Sequence, residues 1–186
     1  GYYGIDKDIT DVNNQKAAGV TEVAKYYEEE LGYNVVGAMN TDLYYESNAP
    51  RVLVYNGIDM RSGRNTQSVL CVYKNAEGTV SCDVKAYNAA EITKELAEGN
   101  AERGALLHAV GVSFAMTVKN GELVSKTEER TSSPAARSMV GVKEDGTLVI
   151  CMNDGRGANN SVGFCNYELG ESMLALGCKW AANCDG

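Results

Sequence analysis

The sequence predicts an α+β (mixed α/β) fold: a twisted mixed sheet flanked by helices, ending in a C-terminal βαβ unit. Short β-branched runs are broken by Asn-Gly, Glu-Gly and Asp-Gly pairs, the punctuation of hairpins. Three longer stretches repeat apolar residues at helical spacing. Residues 137–186 then read as strand, turn, strand, glycine-bearing loop, helix and strand. A strand, helix and strand joined by short turns most simply form a crossover between parallel strands.

In chain order, residues 1–13 are polar and tyrosine-bearing and cross the surface. Val20, Val23, Ala24, Tyr27 and Leu31 mark one helical face, which Gly32 closes. The Glu28-Glu29-Glu30 run at its end is a solvated terminus and needs no partner. Residues 33–39 alternate as a strand delivering Asn40. Residues 50–55 and 58–60 pair around Asn56-Gly57, whereas Arg61 and Arg64 belong to a solvated loop. Residues 69–73 and 79–84 pair around Asn75-Ala76-Glu77-Gly78, with Lys74 opposite Thr79. Residues 88–98 form a helix in which Asn88 and Glu91 complete a capping box. The apolar stretch 106–118 leads through Asn120-Gly121 into a short return strand, and the polar segment 126–134 reads as a mobile loop. Residues 138–142 and 147–152 are strands joined by Asp145-Gly146. Cys165, Leu169, Met173 and Leu176 then line a helix that Gly177 terminates, and 180–184 returns as a strand.

Composition limits the function. A chain of 186 residues fits one domain with a sizeable core. No apolar run reaches the ~18–20 residues that a membrane-spanning helix needs, and no signal peptide stands at Gly1. A formal net charge of −8 without a basic cluster argues against nucleic acid, and makes a single phosphodiester easier to accept than a polyphosphate. The six cysteines contain no Cys-x-x-Cys pair, so a structural zinc site is not expected; no cofactor and no metal ligand is assigned. The predicted register sets Cys71 opposite Cys82, as a disulfide or as two thiols facing the core. His108, the single histidine, lies in an apolar stretch and is assigned a structural role. No Gly-x-Ser-x-Gly elbow supports a serine hydrolase.

The chemistry concentrates where strands end. If 147–152 and 180–184 run parallel, Asp154 and Asp185 arrive at one edge together with Arg156. Two carboxylates there can divide acid, base and nucleophile roles, while Arg156 and the turn amides at Gly155 and Gly186 suit an anion. Both Asp-Gly pairs equally serve as plain turn formers.

The segment resembles the phosphodiester glycosidase family. The matching residues are Arg137-Ser138-Met139-Val140-Gly141, Asp154-Gly155-Arg156, Gly163-Phe164-Cys165, Glu168-Leu169, Gly177 and Asn183-Cys184-Asp185-Gly186, in order and spacing. Asn40 with Tyr44 and Tyr45 is similar to an earlier family feature, an asparagine at a strand end followed by aromatics. Ala136 replaces the family's proline, Cys165 replaces its threonine, and the sequence stops before its remaining glycines and serine.

The resemblance implies hydrolysis of the glycosidic bond of a sugar-1-phosphodiester on extracellular or cell-surface glycans, within a single domain over 1–186 that is incomplete at its C-terminal end. A C-terminal continuation or second fragment is the partner so implied. Asp185 is then the nucleophile or base and Asp154 orients hydroxyls or moves a proton, with Glu168 in reserve if it is not a helix-dipole partner. Arg137 and Arg156 hold the phosphate, Arg137 having a strand-bridging salt bridge as its alternative, and Asn40 bonds sugar or phosphate unless it only forms a turn. The rival is a secreted noncatalytic glycan-binding or cell-wall module that stacks sugars on some of the 11 tyrosines. A metal-assisted phosphodiesterase lacks the clustered ligands it needs.

Overall fold

The computed structural model describes residues 19–41, 52–61, 67–112, 116–124 and 133–184. Helix α1 (Val20–Glu29) opens the described chain. Gly32 adopts φ +71°, and the Tyr33 N–H donates to the Tyr27 carbonyl at 2.9 Å. This reversal folds Tyr33 against the Tyr27 ring, with centroids 5.7 Å apart. The expected strand over 33–39 is therefore not formed. Val36 is 95% exposed, and only Met39 reaches a core, so the alternation finds no sheet edge to pair with.

Strands β1 (Leu53–Tyr55) and β2 (Ile58–Arg61) form the expected hairpin, with Asn56 and Gly57 both at positive φ as a type I′ turn requires. β3 (Gln67–Lys74) and β4 (Val80–Tyr87) pair one step away from the expected register. Lys74 faces Val80, because the Asn75 side chain accepts the Thr79 N–H at 2.7 Å and draws Thr79 into the loop. A one-residue slip exchanges faces. Cys71 lies opposite Asp83 and Cys82 opposite Val72, so the two thiols point to different sides of the sheet and remain free. Burial raises both thiols, Cys71 to about 12.

Helix α2 (Ala89–Glu98) begins with the expected capping box: the Glu91 N–H donates to the Asn88 side chain at 3.1 Å, and the Asn88 N–H to the Glu91 carboxylate at 2.8 Å. The apolar stretch after it divides between two sheets, as β5 (Ala105–Gly111) and β6 (Met116–Lys119), with β7 (Glu122–Leu123) returning through Asn120-Gly121. β8 (Arg137–Lys143), β9 (Leu148–Asn153), α3 (Asn166–Ala175) and β10 (Cys178–Cys184) complete the described chain.

The α+β class holds. The expected single mixed sheet is replaced by two five-stranded antiparallel sheets, β2-β1-β5-β3-β4 and β7-β6-β10-β8-β9. Both β9 and β10 run antiparallel to β8, which lies between them. The strand–helix–strand crossover is thus present with parallel strands, but those strands are second neighbours. β8 reaches β9 through a tight turn at Asp145-Gly146, and a tight turn lets it pair before the crossover closes.

Three apolar clusters separate four layers. Ile92 and Leu96 of α2 cover Val54, Val69, Tyr73 and Leu106 of the first sheet. Leu70, Cys82 and Val84 of that sheet meet Val140, Val142, Ala182 and Cys184 of the second. Leu169, Met173 and Leu174 of α3 cover Met139, Val149, Cys151 and Ala181 on its far face. Truncating a fully buried residue such as Leu169 to alanine costs about 2–5 kcal/mol. Gly141 lets α3 approach, since a Cβ there would meet Met173 and the Cys178 thiol.

Candidate active site

The β8 register fixes the site. Ser138 pairs with Met152 of β9 on one side and with Cys184 of β10 on the other, so both strands finish at one rim. Second-neighbour strands lie about 10 Å apart. Cys184 immediately precedes Asp185; Asp185 and Gly186 lie outside the described residues, as do Tyr44 and Tyr45.

Directly after β9, Asp154 is exposed and accepts a 2.7 Å hydrogen bond from the Asn159 side chain on its Oδ2. Its backbone carbonyl accepts from Asn153 Nδ2 at 2.8 Å and from Ser161 Oγ at 2.6 Å. The loop is therefore tied to its own start. Gly155 is buried, and any Cβ there would collide with the Ala135–Ala136 backbone. Gly163, at φ +91°, meets the same backbone, to which Phe164 bonds through its N–H and carbonyl. The two glycines clamp the loop against the strand entrance that carries Arg137.

Arg156 is exposed and holds φ +56°, in the left-handed region where an arginine is strained. The other positive-φ residues without a glycine Cα among those described are all asparagines. Unusual backbone of this kind concentrates at functional sites. A Ramachandran strain is invisible in a sequence, but the Asp-Gly-Arg-Gly string is its trace.

Arg137 lies directly opposite Asn153. By alternation along β8 both face the α3 side, with Met139 and Cys151. Arg137 is half-buried and its Nε has no hydrogen-bond partner. Asn153 Oδ1, Asn166 Oδ1 and Asn183 Oδ1 are likewise buried without partners. Asn183 is only 3% exposed and faces Met139, diagonal to Arg137. Asn166 opens α3 two residues beyond Phe164. Each buried unpartnered group costs about 1–3 kcal/mol. Sequence reasoning missed these three asparagines, although Asn183 stands within the motif next to Asp185.

Of the remaining candidates, Asn40 adjoins the cluster between the two sheets, while Glu168 and His108 serve the fold. Asn40 is half-buried and follows Met39, which packs on the cluster that includes Cys184, but it ends no strand. Glu168 caps α3, its carboxylate accepting the Cys165 N–H at 2.8 Å, in keeping with the helix-terminus reading. The His108 ring packs at a tilt against that of Tyr55, with centroids 5.3 Å apart, and its Nδ1 accepts the Asn56 N–H at 3.4 Å. Burial lowers its pKa, and the ring fastens the first hairpin. Among the described residues no three His, Cys, Asp or Glu side chains converge as metal ligands, and no helix is long and apolar enough to cross a membrane.

A protein-family model described as phosphodiester glycosidase matches residues 33–186. Among solved structures, the catalytic domain of zebrafish N-acetylglucosamine-1-phosphodiester alpha-N-acetylglucosaminidase, auto-inhibited by its pro-peptide, is similar with a TM-score of 0.56 and 14% sequence identity. The match covers 79% of this chain and 49% of that one, so the chain spans about half the length of that structure, and the likeness is one of fold. No curated protein sequence matches significantly.

Proposed function

The chain belongs to the phosphodiester glycosidase family, and from that premise we propose that it is a hydrolase that cleaves the glycosidic bond of a sugar-1-phosphodiester on extracellular or cell-surface glycans. The observation that carries this reading is the shared rim: Met152 and Cys184 both pair with Ser138, so the strands leading to Asp154 and Asp185 end side by side with β8 between them. On this reading residues 1–186 belong to a single glycosidase domain.

In the reaction, water adds to the anomeric carbon, the bond from that carbon to the bridging oxygen breaks, and a phosphomonoester departs. A phosphomonoester is a good leaving group, so little acid assistance is required. The barrier then lies chiefly in positive charge at the anomeric carbon, which a carboxylate stabilises. Asp185 takes that role as nucleophile or base. Asp154, tethered through Asn159, orients sugar hydroxyls or assists a proton transfer. Arg156, held outward by its strained backbone, and Arg137 hold the phosphate, with the amides of Gly155 and Gly186 and the side chain of Asn40 completing the contacts.

An activated sugar-1-phosphodiester is the test substrate. Release of sugar that depends on Asp185 and Asp154 supports the assignment. Saturable binding without turnover would instead favour a glycan-binding module, and loss of turnover on chelation would favour a metal-assisted phosphodiesterase.

A further inference from the structure

We infer that the α3-facing side of the rim is a subsite for sugar hydroxyls, formed by Asn153, Asn166, Asn183 and the Nε of Arg137. The inference deepens the glycosidase reading and rests on it for the class of substrate. Of the four buried side-chain polar atoms without partners among the described residues, three stand on the adjacent ends of β8, β9 and β10, and the fourth opens α3, the helix that covers that face. Arg137 and Asn153 are cross-strand neighbours, Asn183 is diagonal to Arg137, and Asn166 enters from the start of α3. Such a concentration is uneconomic for a purely structural site, because a fold normally partners what it buries.

The donor and acceptor pattern selects the ligand. Asn153 cannot be turned around freely, since its Nδ2 already donates to the carbonyls of Ala135 at 3.3 Å and Asp154 at 2.8 Å. Its Oδ1 therefore faces the corner as an acceptor. Asn166 and Asn183 each add an amide that can turn either its oxygen or its nitrogen to a ligand, with one N–H donor from Arg137. A hydroxyl both donates and accepts, so a polyhydroxyl ligand can satisfy amide oxygens and guanidinium together. A phosphodiester has lone pairs and no proton to give, so it cannot satisfy the anchored Oδ1 of Asn153. The sugar half of the substrate accordingly lies inward on the α3 side against the Arg137 Nε, leaving the phosphate to the exposed Arg156 and to the other nitrogens of the Arg137 guanidinium.

The test uses binding and folding rather than turnover. Free neutral hexoses and N-acetylhexosamines, and separately inorganic phosphate, are titrated into the whole protein by calorimetry. At least one monosaccharide should bind saturably and should not be displaced by phosphate. Asn183→Ala should weaken that binding about tenfold or more while the melting temperature of the free protein stays level or rises, because the truncation removes an acceptor the free fold leaves unsatisfied. Asn153→Ser, at a half-buried position, should weaken binding in the same sense and covers the case in which the first variant fails to fold. Monosaccharide binding that survives both substitutions, that phosphate displaces, or that is absent from a protein which does hydrolyse a sugar phosphodiester, would overturn the subsite. Asparagine-dependent sugar binding without any hydrolysis would leave the subsite standing and reject only the catalytic reading.

Discussion

Two faces of this molecule solve the same packing problem in opposite ways. On each, a ten-residue helix covers an antiparallel sheet, and on each, polar side chains are buried beneath it. Under α2 those groups are mutually partnered. The buried Tyr73 hydroxyl donates to Glu95 at 2.6 Å, Lys85 donates to the other carboxylate oxygen at 2.9 Å, and Asn100 adds a third bond at 3.1 Å. The Lys85 ammonium also lies 4.3 Å from the Tyr87 ring centre. Under the start of α3, by contrast, one guanidinium and three amide groups retain atoms without partners. A completed polar network contributes to stability and to a unique packing, whereas an incomplete one is a cost that the fold bears where a ligand will complete it.

This contrast predicts that substitutions under α2 alter stability and leave chemistry alone, while substitutions at the rim do the reverse. The largest effect belongs to the rim. Asp185→Asn and Asp154→Asn should each lower turnover of an activated sugar phosphodiester by roughly 10²–10⁴-fold, with little change in melting temperature. Turnover that survives both would remove the distinction between the two faces.

Next comes Glu95→Ala, which removes the acceptor shared by Lys85 and Tyr73 and leaves them the longer contacts to Asp83 at 3.8 Å and to the Tyr87 hydroxyl at 3.4 Å. A loss of about 3 kcal/mol in urea unfolding is expected, with kcat and KM unchanged. If turnover fell in step with stability at mild temperature, the α2 face would have a catalytic role that the contrast denies it.

The same residue makes the contrast pH-dependent. Burial alone opposes ionisation of Glu95, but hydrogen bonds from Tyr73, Tyr87, Lys85 and Asn100 outweigh it and lower the carboxyl from 4.5 to about 2. Because the folded value is depressed, its contribution is complete above the unfolded value and is lost as the pH falls through about 2. The stability gap between the native protein and Glu95→Gln should therefore be widest near neutrality and shrink between pH 4.5 and 2. A gap that stayed constant over that range would show that Glu95 does not act through its charge.

The smallest expected effect is at the helix caps. Asn88→Ala deletes the side-chain acceptor for Glu91 and should cost about 1 kcal/mol without touching turnover. Denaturant titration resolves a difference of that size.

Much of this architecture was legible residue by residue. Asn56-Gly57 and Asn120-Gly121 mark hairpins because their backbones need positive φ, and both have it. Asn88 and Glu91 announce α2, and Cys165, Leu169 and Met173 present the buried stripe of α3. The rim was legible as well, since one strand leading to Asp154 and another leading to Asp185 could be read from apolar runs ending in polar loops. The rest depended on partners. Residues 33–39 have the alternation of a strand but no edge beside them, and the second hairpin slipped by one because a single side chain, that of Asn75, claimed a backbone N–H.

The sequence by itself determined the local pieces: where helices start and stop, where the chain reverses, and that Asp154 and Asp185 each follow a strand of one crossover. Only the tertiary structure decided that β8 lies between those strands, that the sheet is two antiparallel sheets back to back, and that Asn153 and Asn183 flank Arg137 on the face that α3 covers. Caps and turns are set by bonds between residues a few positions apart, so their signals are contained in short strings. Strand order and register are chosen by long-range pairing and by which faces lose water together, and the same alternating run fits several neighbours until the whole chain is in place.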